Sequence, residues 1–418
     1  MIWLYRTLLL LVSPLVDVSI FIRLLRGKED WSRMNERLGR PKLPRPPGKL
    51  IWMHGASVGE LQSLLPLLDH LLAARDDLHI LVTTGTRTSA ALAEKRLPER
   101  AFHQYVPLDY LFSVAMFVDY WQPDVSIFVE SEFWPELLTR APNPILLNAR
   151  MSDRSYRRYR WVRWWIQPLL SRFLACLTQS DEDTRRLRDL GATNVVTNGN
   201  IKYDAAPLPA DAALLEQLRT IIDKRPVLVA ASTHHNEEEL LAHVHTALAE
   251  QVPNLLTLIA PRHPHRGAQI TDALRAQGHA VRRRALQELP DAATSFYVAD
   301  TIGEMGLWYR LADAVVIGGS FIPHGGQNPI EGLKLGAVPL CGPHMENFRE
   351  MTALLTSTGA LIQVADTTAL QAVLLPLLTD ADARDAARQK GAAALANLAG
   401  ATPRAAQVIL AALQGGPA

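Results

Sequence analysis

The stretch Ile51–Glu60 (IWMHGASVGE) runs from apolar residues through a loop of small ones to an acid. Gly55 and Gly59 permit a tight turn and close approach of a ligand to the backbone. Ser57 and Gly59 are acceptor-side candidates in the same loop. Glu60 falls in the first turn of the helix the loop opens, where a carboxylate is placed to take a proton from an attacking hydroxyl. An acid there equally complements the helix dipole, and spacing alone does not separate the two roles. Further along, Ser232–Glu239 (STHHNEEE) follows an apolar run. It offers Asn236 as an N-cap, acids behind it, and N–H groups that suit a phosphate. His234 and His235 are adjacent and lack a third ligand at metal spacing. Ala260–Arg266 (APRHPHR) places Arg262 and Arg266 near a strand end, where they suit a phosphate or carboxylate. Asp300–Gly306 (DTIGEMG), Ile317–Ser320 (IGGS) and Gly325–Glu331 (GGQNPIE) each read as a glycine-bearing strand-to-helix loop. Asn328 as N-cap and Pro329 at N1 would turn free N–H groups toward a nucleotide phosphate, with Glu331 reaching ribose hydroxyls. Several such loops in one half of the chain are the pattern of a nucleotide site.

A different chemistry marks Arg154–Trp165 (RSYRRYRWVRWW). On one helix, Arg154, Arg157, Arg158, Trp161, Trp164 and Trp165 share a broad face, the composition of a surface that meets lipid headgroups. Arginine with aromatic residues also suits single-stranded nucleic acid. The formal net charge of +1 and the apolar N-terminus favour lipid. Residues 1–25 are rich in Leu, Ile, Val, Phe and Trp but interrupted by Arg6, Asp17 and Arg23, and Ser13-Pro14 predicts a kink. No small-residue cleavage site follows. Arg23, Arg26, Lys28, Arg33, Arg37 and Arg40 form a basic excess that places the following chain in the cytoplasm. A single span and a helix lying in the interface both fit.

These residues need elements to hold them. Apolar runs alternate with helical patterns: strands at Leu50–His54, Ile80–Thr84, Val125–Val129 and Ile145–Leu147, helices at Leu61–Leu72 and Thr88–Arg96. After an Asn/Gly/Pro-rich break at Asn198–Asp211, a second series begins. Its strands are Val227–Ala231, Leu255–Ala260, Ala314–Ile317 and Ala337–Cys341, and its helices Glu237–Glu250 and Ala268–Gln277. The pattern predicts an α/β fold of two doubly wound parallel sheets, with ligands at the strands' carboxyl ends and the deepest crevice between the domains. The expected divisions are 1–40, an anchor with a basic juxtamembrane helix; 49–200, an acceptor domain; 211–398, a nucleotide domain; and 399–418, a C-terminal helix and tail. Pro41–Gly48 (PKLPRPPG) reads as a stiff linker. The 418 residues suffice for large cores, and the two cysteines, Cys176 and Cys341, fit a reducing compartment without disulfides.

The motifs together, in their order, resemble the bacterial 3-deoxy-D-manno-octulosonic acid (Kdo) transferase family. The matching pieces are ERLG (Glu36–Gly39), HGASVGE (His54–Glu60), TTGTRT (Thr83–Thr88), ESEFWPEL (Glu130–Leu137), NARMSDRS (Asn148–Ser155), GNIKYD (Gly199–Asp204), STHHNEEE, PRHPHR, DTIGEM, GGSF, GGQNPIE and GPHMENF (Gly342–Phe348). They cover nearly the whole chain. The resemblance implies a GT-B glycosyltransferase with an N-terminal membrane-anchoring helix. It implies CMP-Kdo as donor and co-substrate, a lipid A precursor (lipid IVA) as acceptor, and action at the cytoplasmic side of the inner membrane. No cofactor, metal or nucleic acid is expected. Carried over by motif, Glu60 is the general base of an inverting transfer. Ser232, Thr233, Arg262, His263, Gly303, Glu304, Met305, Gly306, Gly319, Ser320, Gly326, Asn328 and Glu331 would bind CMP. Ser57, Gly59, Arg87, Glu132 and Arg150 are acceptor or Kdo candidates, Arg87 and Arg150 for the acceptor phosphate or the Kdo carboxylate. The family usually has Gly where Asn236 stands and His where Gln327 stands, departures that bear on fine donor contacts rather than on the reaction class. A nucleotide-sugar 2-epimerase on the same fold is the reading from another class; the apolar N-terminus and the Arg/Trp face argue against it. An inactive membrane scaffold is a third, opposed by the intact Glu60 loop.

Overall fold

The computed structural model describes residues 2–415. The chain divides into two units, Met1–Ala205 with Leu398–Ala418, and Ala206–Asn397.

In the first unit the strand predicted at Leu50–His54 is β1, Lys49–His54. Its side chains alternate between two buried layers, Ile51 and Met53 into one, Leu50 and Trp52 into the other. A strand covered on both faces reads as an unbroken apolar run, which is why parallel sheets show in sequence as they do. The other strands are β2 (Leu78–Thr84), β3 (Ala101–Tyr105), β4 (Val125–Val129), β5 (Pro144–Ala149), β6 (Ala175–Thr178) and β7 (Val195–Thr197). They form one parallel sheet in the order β3-β2-β1-β4-β5-β6-β7. The order reverses between β1 and β4, so the loops after those two strands flank the switch point, where doubly wound sheets take ligands.

The C-terminal helix, Ala401–Leu413, packs on the Val58–Ala74 helix of this same unit. Asp204 accepts hydrogen bonds from Gly400 N (2.7 Å) and Thr402 N (2.5 Å), and Asn198 Nδ2 donates to Ala401 O (3.0 Å). Residues 399–415 are therefore part of the first unit's core rather than a separate tail; 416–418 lie outside the described residues.

The N-terminal helix runs unbroken over Ile2–Leu25, through Pro14, where a kink was expected. Pro14 cannot donate to the Leu10 carbonyl, and the Ser13 hydroxyl takes that carbonyl instead at 3.0 Å. The helix is long and apolar enough to cross a membrane, with a mean hydropathy of 2.2 over 18 residues, and none of it is buried. The basic segment after it is less free than its composition implied. Arg23 and Arg37 pair with Glu29 at 2.7 and 3.0 Å, and Arg33 pairs with Glu36 at 2.8 Å. Glu29, Glu36 and Arg37 are buried against the first unit, so these arginines hold the chain down rather than face headgroups.

The second unit repeats the plan. Its strands are β8 (Val227–Thr233), β9 (Leu256–Pro261), β10 (Val281–Arg283), β11 (Phe296–Val298), β12 (Ala314–Ile317), β13 (Pro339–Cys341) and β14 (Ile362–Gln363). All are parallel, in the order β10-β11-β9-β8-β12-β13-β14. The loops after β8, β9, β11 and β12 leave one edge of the sheet, and they are the loops that the sequence marked for a nucleotide.

Candidate active site

In the first unit, Ser57 caps the Val58–Ala74 helix and Glu60 lies three residues on, the spacing of a capping box. Glu60 Oε2 accepts from Ala56 N at 2.7 Å and Oε1 from the Ser57 hydroxyl at 2.8 Å. The carboxylate thus has both the local role and a fixed direction. Burial pushes its pKa above the usual carboxylate range, outweighing those two hydrogen bonds, and the nearby charges of Glu130 and Glu132 push the same way. A carboxyl raised in this way is a better proton acceptor than an exposed one. Gly59 has nothing within 4 Å of a notional Cβ, so the space beside Glu60 is open.

Three carboxylates converge here from two loops, and each is handled differently. Glu130 adopts a left-handed conformation (φ 61°) and is paired with Lys202 of the GNIKYD motif at 2.6 Å. Glu132 is also desolvated, but His54, the last residue of β1, and the Trp134 indole hold its pKa below the usual range. His54 Nε2 lies 3.7 Å from Glu132 Oε2. Among the described residues Glu60 has no ion-pair partner comparable to Lys202 on Glu130 or His54 near Glu132. His54 and Lys202 were not singled out in the sequence; their positions at a strand end and in a short 3-10 turn were the available signals.

The other acceptor-side residues scatter. Arg87 is exposed and donates to the Gly27 carbonyl at 2.7 Å. Ser131 donates to the Arg150 carbonyl, which ties the loop after β4 to that after β5. The segment Arg154–Trp165 is two helices rather than one: Asp153–Trp161 and Arg163–Leu170 meet at Val162 (φ −114°, ψ 35°). The single broad face is therefore broken. Trp161 (88% exposed) and Trp164 (61%) stand outward with Arg154, Arg157 and Arg158, while Trp165 turns back to meet the Tyr5 ring edge-on at 6.1 Å.

In the second unit, the donor-loop residues fall into two groups. Arg262, His263, Gly303 and the side chains of His234, His324 and Glu331 stand about the carboxyl edge of the sheet. His234 and His324 rings lie 3.8 Å apart, His263 meets His234 edge-on at 6.0 Å, and the Gln327 amide nitrogen is 3.2 Å from His234 Nε2. Burial, then the neighbouring His324, His263 and Arg262, push His234 down to about 4. Glu331 is raised by burial, with Asn328 and Arg262 partly offsetting. Asn328 accepts from Ile330 N at 3.1 Å, while Pro329 takes the cap position one residue later than expected. His324 was missed in the sequence because only folding of the Gly325-Gly326 turn brings it onto His234.

The second group is spent on the fold. Glu237 accepts from Gly319 N (2.6 Å), Ser320 N (3.1 Å), Phe321 N (3.1 Å) and His234 N (3.0 Å). These N–H groups form a nest that the chain's own carboxylate fills. Ser320 is fully buried, its hydroxyl donating to Ile317 O at 2.5 Å and accepting from Gly342 N at 2.9 Å. Gly319 and Ser320 therefore do not offer those groups to CMP. Asn236, expected as an N-cap, makes no side-chain cap; it is left-handed (φ 77°). Thr233 donates its hydroxyl to Glu238 (2.9 Å), Glu238 also holds Arg266 (2.7 Å), and Glu304 is paired with Arg284 (2.7 Å), which holds its pKa low. Ser232 is left-handed (φ 58°), and a Cβ on Gly318 would meet its carbonyl oxygen at 2.2 Å. Gly306 and Gly326 likewise make room for backbone and for Met345, and Met305 is half-buried at the start of its helix. Among the described residues no cluster of three His, Cys, Asp or Glu is placed to hold a metal.

Two parallel sheets of seven strands, each carrying its candidate loops at the carboxyl edge, define a GT-B fold. Solved structures with this architecture include a glycosyltransferase from Rickettsia africae and a UDP-GlcNAc 2-epimerase from Neisseria meningitidis. Each has a TM-score of 0.54 and covers 88% of this chain and 100% of its own, at 13% and 12% identity, a likeness of fold alone. The sequence comparisons go further. Residues 32–205 match the family described as 3-deoxy-D-manno-octulosonic-acid transferase (kdotransferase). The 3-deoxy-D-manno-octulosonic acid transferase of Rickettsia bellii is 34% identical over 91% of this chain and 92% of its own length. That of Haemophilus influenzae is 33% identical over 96% of both, and a probable mitochondrial one of Arabidopsis thaliana is 37% identical over 86% and 83%. The chain belongs to the Kdo transferase family.

Proposed function

We propose that this Kdo transferase moves Kdo from CMP-Kdo to a hydroxyl of lipid IVA, with inversion, at the cytoplasmic face of the inner membrane. The observation that carries the reading is Glu60: a carboxylate at the switch point of the first sheet, aimed by two hydrogen bonds and raised by burial. The acceptor oxygen attacks the anomeric carbon of Kdo and passes its proton to Glu60. The bond from that carbon to the phosphate oxygen breaks, and CMP leaves with the electron pair. One displacement inverts the configuration. The sugar's own carboxylate stabilises positive charge at the anomeric carbon. Arg262, exposed beside Glu331 and the histidine group of the second unit, is the cation best placed for the phosphate. The leaving group departs as a phosphate monoester of low basicity, so a resident metal is not needed. The test is incubation of the purified full-length chain with CMP-Kdo, lipid IVA and EDTA. Product heavier by Kdo and of inverted configuration is expected. No CMP release, dependence on a divalent ion, or retained configuration would each overturn its part of the reading. Turnover of a UDP-sugar without lipid would instead favour an epimerase.

The membrane reading rests on the exposed Trp161 and Trp164 beside Arg154, Arg157 and Arg158, near the apolar N-terminal helix that Trp165 contacts. Tryptophan favours the headgroup level and arginine the anionic lipids. The double substitution Trp161→Ser and Trp164→Ser should weaken partitioning onto anionic vesicles by on the order of tenfold, measured by sedimentation, with CMP affinity unchanged. Unaltered partitioning would remove this surface from the membrane contact.

A further inference from the structure

The N-terminal helix is tied to the first unit along its length. Near its start, Tyr5 donates to Asp109 at 2.6 Å and Arg6 to Glu136 at 2.5 and 3.1 Å. Past its middle, Tyr110 donates to Asp17 at 3.4 Å, and near its end Arg23 donates to Glu29 at 2.8 Å. Asp109, Glu136 and Glu29 are buried acids, so they anchor the helix firmly to the unit's surface. The helix does not close on that surface between the ties. Val16, Ser19 and Ile20 on one side, and Leu108, Trp134 and Leu137 on the other, leave a cavity of about 540 Å³ with predominantly apolar walls. That size lies within the ~300–1,000 Å³ of small-molecule sites. At one end the cavity reaches His54, Ala56 and Glu132. Ala56 is the residue whose N–H holds Glu60 at 2.7 Å, so the apolar space runs up to the loop that carries the base. The opposite face of the helix is bare: Leu10 and Leu11 are 74% exposed or more.

We propose that this crevice receives one fatty acyl chain of the lipid acceptor, drawn sideways from the bilayer past the N-terminal helix, so that the attached sugar hydroxyl arrives at Glu60. The inference rests on the reading that the acceptor is a lipid. It goes beyond that reading by placing the lipid's apolar part. An acyl chain suits the space because its apolar walls offer dispersion contacts, and charged groups in the lining are already engaged: Arg23 and Arg37 pair with Glu29, and Asp109 accepts from Tyr5 and two backbone N–H groups. His54 and Glu132 lie beside the Glu60 loop, where a sugar headgroup would sit. The bare leucine face puts the crevice mouth at the membrane surface, which solves how a water-insoluble acceptor reaches a base on a soluble sheet.

Val16→Trp and Ile20→Trp, made separately in the full chain, fill the crevice and leave the outward face apolar; Leu11→Trp on that outward face is the control. With CMP-Kdo and lipid IVA in mixed micelles, the two crevice variants should lose about tenfold or more in kcat/KM for the lipid, mostly through KM, with KM for CMP-Kdo unchanged. Leu11→Trp should match the native chain. In parallel, lipid IVA bearing a diazirine in one acyl chain is photolysed on the unaltered protein, and the label should fall on the Val16–Ile20 and Leu108–Leu137 peptides. Native kinetics in both crevice variants, or label confined to the outward face of the helix, would overturn the proposal. Absence of product from the unaltered chain would instead refute the transfer reading. The crosslink would still decide the crevice, and it needs no variant to fold.

Discussion

Glu60→Gln should slow Kdo transfer by about 10²–10⁴-fold, the range over which a positioned general base contributes, and leave CMP affinity as it was. The amide keeps the size of the carboxyl and can accept from Ala56 N, but it cannot take the acceptor's proton. CMP affinity should hold because the donor loops belong to the other unit of the chain. The pH profile separates a base from a mere helix cap. A base works only when ionised, and Glu60 is raised above the usual carboxylate range. Native kcat/KM should therefore fall on acidification through that raised value, and Glu60→Gln should lack this limb. Stability moves the other way. A carboxyl whose folded pKa exceeds its unfolded one binds more protons folded than unfolded between the two values. Its ionised form is thus a liability to the fold above the folded pKa and neutral below the unfolded one. Glu60→Gln should unfold at a slightly higher temperature than the native chain at pH 7.5, and the gap should close at pH 4. Loss of both activity and thermal stability would point to a structural cap instead. Substantial residual transfer with the acid limb intact would remove Glu60 from the base role.

Most central strands were legible because parallel sheets bury both faces, though the short interior strands β6 and β11 were missed. Leu50–His54 and Ala314–Ile317 read as apolar runs and are strands at those positions, within a residue. The edge strands were not. β3 (AFHQY), β7 (VVT) and β10 (VRR) are short or half-polar, since an edge strand needs less burial and carries less signal. The Asp153–Trp161 and Arg163–Leu170 helices were read as one for another reason: amphipathic periodicity continues across Val162 while the backbone does not, and nothing in the residue types marks the break. Within the site, residues placed by local spacing could be read: Glu60 stands in the first helical turn, as expected. Those that act through folding could not. His54 reaches Glu132 from a separate strand, and His324 reaches His234 across ninety positions of chain. The glycines after β12 were read as a strand-to-helix loop, and the structure folds Gly319–Phe321 into a nest of N–H groups. Their occupant lies at the start of a helix more than eighty residues earlier, and in sequence it was one of three acids with an ordinary dipole role.

That occupant yields the largest expected effect on stability. Glu237→Ala should destabilise the second unit by several kcal/mol and abolish CMP binding. The side chain is 1% exposed and accepts from four backbone N–H groups, three in the loop after β12 and one in the loop after β8. Alanine leaves these donors facing a cavity. Each buried unsatisfied group costs about 1–3 kcal/mol, more when its lost partner was charged, and the four are not additive because the loop can shift to meet water. A loss on the order of 4 kcal/mol is a large share of a domain's ~5–15 kcal/mol. Glutamine should not rescue it, since its NH₂ would point a donor at donors. Aspartate, with the charge but one methylene less, should recover part of the loss. Calorimetry of the full chain should show the unfolding transition attributable to the second unit shifted down in Glu237→Ala and Glu237→Gln, with partial recovery in Glu237→Asp. If CMP binds Glu237→Ala as tightly as the native chain, the nest after β12 is not what shapes the donor loops. If Glu237→Ala instead gains affinity for inorganic phosphate, the carboxylate is a removable stand-in for an anion rather than a fixed part of the fold.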